Sequence, residues 1–138
     1  MDSRDRAALQ DLLRCLDASA LRDGARLRWT QGSALALLLA RWATEEGRLR
    51  PFWIDAPSEA EAQHLAADLA ALLPGAGVAH FPGLAPYAGG ESSPPGAVLR
   101  DRMAALAGLV EGRVQVLVTG PLAAREKLPH PSWFAKRK

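Results

Sequence analysis

The chain has 138 residues, enough for one domain with its own core and too few for two. Hydrophobic residues make up 49% and charged residues 23%, the balance of a soluble globular domain, which excludes disordered and fibrous classes. The 17 Lys and Arg against 15 Asp and Glu leave a formal charge of +2, too small by itself to argue for nucleic acid. The single cysteine, Cys15, excludes an intrachain disulfide and a multi-cysteine metal site.

The first residues, Met1-Asp2-Ser3-Arg4-Asp5, carry mixed charges and are not followed by the apolar core of a signal peptide. The longest apolar run, Ala34 to Ala40, falls far short of the roughly 20 residues that cross a bilayer. A cytoplasmic chain with no membrane association is the expectation.

In chain order, Ala7, Leu9, Leu12, Leu13 and Leu16 follow helical spacing and Gly24 ends the pattern, which predicts an amphipathic helix over about residues 4–21. Arg26-Leu27-Arg28-Trp29-Thr30 alternates with period two, Gln31-Gly32-Ser33 reads as a turn with Ser33 as helix cap, and Ala34 to Glu46 reads as a helix. Phe52-Trp53-Ile54 is a short apolar strand. Pro57-Ser58-Glu59 opens a helix that runs to Leu73, with Ala62, Leu65, Ala66, Leu69, Leu72 and Leu73 on one face, before Pro74-Gly75 closes it.

Val78 to Phe81 is a third strand. The stretch from Pro82 to Gly96 is a loop dense in Pro, Gly and Ser, far longer than the usual connection of about 4–6 residues. Val98 to Leu109 resumes helical spacing and stops at Gly112, and the β-branched run Val114 to Thr119 is the clearest strand. A short helix near Leu122 to Lys127 precedes Pro129 and Pro131.

Strands separated by helices of this length predict an α/β fold, a three-layer parallel sheet of about four strands. The apolar character of Phe52 to Ile54 and Val116 to Val118 predicts burial on both sheet faces. The predicted organisation is an N-terminal helix over 1–25, an α/β domain over 26–131, and a basic tail over 132–138 that contains Lys136, Arg137 and Lys138.

In such a fold the first strand-to-helix turn is where phosphates bind, because backbone N–H groups and the helix dipole converge there. A working P-loop also needs a lysine for the β/γ-phosphates and a hydroxyl for Mg²⁺. Here the turn is Trp29-Thr30-Gln31-Gly32-Ser33-Ala34-Leu35-Ala36. In either register of Gly32 the lysine position falls on Ser33 or Leu35 and the hydroxyl position on Ala34 or Ala36, so the Walker A pattern is degenerate. Thr119-Gly120 stands where an acidic Walker B residue would follow the last strand, and Asp55, lacking a lysine partner, reads as a cap or turn residue. His64, His80 and His130 are scattered and form no metal-ligand spacing. Ser33, Ser92 and Ser93 lie in no nucleophile elbow. The expectation is a chain without catalysis, cofactor or metal.

Three segments taken together resemble one family. Gln31-Gly32-Ser33 with Ala34 to Leu39, Phe81-Pro82-Gly83-Leu84-Ala85-Pro86-Tyr87 followed by Pro94, Arg102 and Leu106, and Val116 to Ala123 with Lys127-Leu128-Pro129 are similar in order and spacing to the first lobe of the UvrB-like module of bacterial transcription-repair coupling factors. The resemblance covers about Leu27 to Pro131, and the Phe81-Pro82…Pro86-Tyr87 motif contributes most to it. Ala88-Gly89 departs from the acidic residue the family carries after the tyrosine.

The resemblance implies a P-loop NTPase-like fold that has lost its nucleotide chemistry, and a place in transcription-coupled nucleotide excision repair of DNA damage. Its implied partners are other coupling-factor domains, the damage sensor UvrA, or RNA polymerase. The family's translocase motifs are absent from this sequence, and the resemblance implies that the UvrA-contacting subdomain, which in the family follows the matched segment, is lacking as well.

The leading reading is therefore a non-catalytic scaffold or interaction module. The alternative is a nucleotide- or DNA-binding domain that uses the Gln31-Gly32-Ser33 turn, or Arg26, Arg28, Arg48, Arg50 and the tail as phosphate contacts. The small sheet is also expected to leave an apolar edge that promotes self-association.

Overall fold

A computed structural model describes residues 7–8, 11, 15, 32–44, 51–84 and 96–128. Among them lie helix α1 (Ser33–Thr44), strand β1 (Phe52–Asp55), helix α2 (Glu59–Leu72), strand β2 (Val78–Phe81), helix α3 (Gly96–Val110), strand β3 (Val116–Thr119) and a 3-10 turn over Ala123–Arg125. Ala7, Ala8, Asp11 and Cys15 are helical and exposed, in keeping with the helix read there. The strand expected at Arg26–Thr30, Gln31, the residues Pro86, Tyr87 and Pro94, and the basic tail lie outside the described residues.

The described sheet has three parallel strands in the order β1-β3-β2, the three of the expected four that fall within the described residues. The last strand sits in the middle. Phe52, Val116 and Val78 stand in one row, followed by Trp53, Leu117 and Ala79, then by Ile54, Val118 and His80, and finally by Asp55, Thr119 and Phe81. Because side chains alternate, the first and third rows face one side of the sheet and the second and fourth rows the other.

Val116 and Val118 pack with α1 and α2 through Ala36, Ala40, Ala43, Leu65 and Leu69. On the opposite face Leu117, Ala79 and Phe81 pack with Ala105 and Leu106 of α3 and with Ala123. The result is three layers. Right-handed crossovers explain the division: the step from β1 to β2 moves one way across the sheet and the step from β2 to β3 moves back, so their helices fall on opposite faces.

The alanines of α1 allow a close approach to α2. Edge-on contact between Trp42 and Phe52, with ring centroids 5.4 Å apart at 89°, closes the other side of α1. The Ser58 hydroxyl caps α2 by accepting from the Glu61 N–H at 3.2 Å.

Two boundaries differ from the sequence reading, while the end of the helix expected to run to Glu46 lies outside the described residues. The last strand, expected from Val114, spans Val116–Thr119, and just ahead of it the Gln115 and Val116 N–H groups both donate to the Gly77 carbonyl. The helix expected over Leu122 to Lys127 is a single 3-10 turn, too short for a fourth layer element.

Burial of both faces holds for the central strand alone. Trp53 on edge strand β1 is 59% exposed. None of the described helices is long and apolar enough to cross a membrane.

Candidate functional site

Two sets of candidate residues from the sequence reading lie at the carboxyl ends of the strands. This is where open parallel sheets bind ligands.

The first is the Gly32-Ser33 turn. Gly32 takes a positive φ of 57°, the left-handed region that a glycine adopts without strain, and its carbonyl accepts from the Leu35 N–H at 3.1 Å as α1 begins. Ser33 is the first residue of α1 and not its cap. Its hydroxyl donates to Asp68 Oδ2 of α2 at 3.0 Å. Between α1, the end of β1 and α2 lies a cleft of about 540 Å³, lined by Gly32, Asp55, Glu61, His64, Leu65 and Asp68 among others.

Three carboxylates, Asp55, Glu61 and Asp68, therefore share the cleft with the turn, and among the described residues no lysine or arginine lines it. A helix N-terminus stabilises an anion by about 0.3–1 kcal/mol. Each carboxylate 4 Å from a phosphate oxygen opposes that by about 1 kcal/mol even at the dielectric of water. The electrostatics of the cleft run against a phosphate ligand.

The second set is Phe81, Pro82 and Arg102. The Arg102 guanidinium is stacked over the Phe81 ring, 4.1 Å from its centroid. It donates to the Pro82 carbonyl and pairs with Glu126 Oε2 at 2.7 Å. Arg102 is only 7% exposed, so these contacts satisfy a charge taken out of water, where an unpaired one would be costly.

The sequence suggested Glu91 or Asp101 as the partner of Arg102. The structure assigns Glu126 instead, because the 3-10 turn after β3 folds back over the end of β2. Glu91 lies outside the described residues.

Glu126 also accepts from the Leu84 N–H through Oε1. Glu59, at the first turn of α2, accepts from the Gly83 N–H at 2.9 Å and lies 3.3 Å from His80 Nε2. The short segment Pro82-Gly83-Leu84 is thus held through one carbonyl and two N–H groups by side chains from α2, α3 and the turn after β3.

Gly120 makes room for this clamp. A Cβ there would stand 2.2 Å from Glu59 Oε2 and 3.1 Å from Glu59 Cα. At Gly83 a Cβ would meet the Leu122 Cβ at 3.0 Å.

Sequence reasoning found Phe81, Pro82 and Arg102 but missed Glu59 and Glu126. Glu59 carried one signal, an acid at a helix N-terminus, which the dipole alone explains. Glu126 carried none. Asp55 ends β1 as expected and is exposed, and His64 is exposed on α2. Among the described residues no group of three or more His, Cys, Asp or Glu is placed to hold a metal ion.

Comparison with family models, with curated proteins and with solved structures finds no match to this chain.

Proposed function

We propose that this chain is a non-catalytic interaction module of the transcription-repair coupling type, a cytoplasmic scaffold with a P-loop-like fold whose nucleotide site has eroded. The observation that carries the reading is the cleft at the Gly32-Ser33 turn. Where a working P-loop offers a lysine and a Mg²⁺-binding hydroxyl, this cleft offers Asp55, Glu61 and Asp68, with Ser33 engaged by Asp68.

The resembled motif supports the same reading. Phe81, Pro82, Arg102 and Leu106, spread over 26 positions of sequence, converge on one cluster, in which Arg102 engages Pro82, Glu126 and the Phe81 ring. These residues hold a shape and carry no reaction. Partners of the module are other coupling-factor domains, UvrA or RNA polymerase.

The test is capture of the purified chain against each of these three partners, with Mg-ATP titrated in parallel by calorimetry. Binding to one of them with no heat from millimolar nucleotide is the expected result. Heat with saturation would restore the alternative nucleotide-binding reading, and absence of all three interactions would remove the scaffold role.

A further inference from the structure

The cleft of about 540 Å³ between α1, the end of β1 and α2 combines two kinds of surface. Its apolar wall comes from Leu35 of α1, Ile54 of β1, Ala56 just beyond that strand and Leu65 of α2, the last two buried. Its charged groups are Asp55 and Glu61, both exposed, and the half-buried Asp68. Sites that hold small molecules have volumes of about 300–1,000 Å³ and pair apolar walls with a few polar groups in this way.

The negative charge is not neutralised from within. Asp68 accepts from the Ser33 hydroxyl at 3.0 Å and Glu61 from the Ser58 hydroxyl at 3.1 Å, both neutral donors. The Asp55 carboxylate makes no hydrogen bond or ion pair among the described residues, and no lysine or arginine among them lines the cleft. Charges of one sign on low-dielectric walls focus the field into a cleft and concentrate ions of the opposite sign there.

The carboxylates are also spread out. Among the described residues no three acidic or histidine side chains are placed to hold a metal ion, so a point cation finds no ligand shell of the kind it requires. A cation carried on a chain needs no such shell. It can set its charge against the carboxylates while its body covers Leu35, Ile54 and Leu65.

We infer that this cleft binds an organic cation, a guanidinium or ammonium group on an apolar chain, with the charge among Asp55, Glu61 and Asp68. The assignment rests on the proposed function in one respect, that the cleft no longer takes a nucleotide. A guanidinium suits it best, because its planar fork of donors matches a carboxylate pairwise. The same chemistry has two sources, a free small molecule and an arginine side chain presented by a partner protein.

The test follows the amide shifts of the full chain by NMR as n-butylguanidinium is added, with n-butylurea as its uncharged counterpart. Saturable shifts at Leu35, Asp55, Leu65 and Asp68 are expected with the guanidinium at millimolar concentration, and none with the urea. Asp55→Asn with Asp68→Asn keeps an oxygen to accept from Ser33 and should bind the guanidinium at least about fivefold more weakly. Should that variant not fold, the comparison with the urea in the parent chain still decides. No saturable shift with the guanidinium, equal binding of the urea, or an unchanged affinity in the folded variant would overturn the assignment. Acetyl-Ala-Arg-Ala-amide binding as tightly as n-butylguanidinium would identify the source as a side chain of a partner, and its failure beside a bound guanidinium would identify a small molecule. Displacement of the guanidinium by Mg-ATP would overturn both this assignment and the proposed function, whereas failure of the cation with Mg-ATP also silent would overturn this assignment alone.

Discussion

Replacing Arg102 by Met removes the centre of the clamp while keeping a long apolar side chain of similar reach. Three contacts disappear together: the pair with Glu126, the donation to Pro82 and the stacking over Phe81. Removing one partner of a buried ion pair costs about 3–5 kcal/mol when the other charge stays buried. Glu126 retains 20% side-chain exposure, and water reaching its carboxylate reduces that figure to about 3 kcal/mol.

For a domain of this size that corresponds to a fall in Tm of about 10 °C, read by circular dichroism and checked by urea unfolding. Glu126→Gln alone keeps the acceptor for the Leu84 N–H but leaves Arg102 without its counter-charge, at a cost of about 2 kcal/mol. In the double variant the buried charges are gone together, and the loss should stay near about 3 kcal/mol, a coupling of about 2 kcal/mol in the cycle. A loss below about 1 kcal/mol for Arg102→Met, or strict additivity of the two changes, would refute the clamp as a structural unit.

Three further outcomes follow from the same contacts. Gly120→Ala places a methyl 2.2 Å from Glu59 Oε2 and should destabilise by about 1–3 kcal/mol, whereas Gly75→Ala, with nothing within 4 Å of the new methyl, should leave the Tm within a degree or two. Leu69→Ala empties a fully buried position between α2 and the sheet and should cost about 2–5 kcal/mol in urea unfolding; a smaller value would mean that α1 and α2 collapse onto the gap. Asp55→Asn with Asp68→Asn removes two charges from the cleft at the Gly32-Ser33 turn, so inorganic phosphate should bind the variant more tightly than the parent by NMR titration, and equal affinities would show that the carboxylates do not govern the site.

The class of fold and most of its elements were legible in the sequence for local reasons. The apolar face of α2 repeats with helical spacing, Ser58 precedes it as a cap, and the β-branched run at Val116–Thr119 has no helical period. The turn at Gly32-Ser33 was legible too, because glycine and serine ahead of an apolar helical run mark a helix start by residue type alone.

Tertiary structure alone decided the rest. Nothing local in the sequence put β3 between β1 and β2, since strand order depends on which face each crossover helix covers. The partner of Arg102 was missed because nearby acids were weighed, while the fold brings Glu126 back from beyond the last strand. The carboxylates of the cleft lie close together in sequence on β1 and α2, and only the fold sets the distant Gly32-Ser33 turn against them. Sequence determined which segments pair apolar faces with polar ones, and the closing of those faces on one another decided which charges meet.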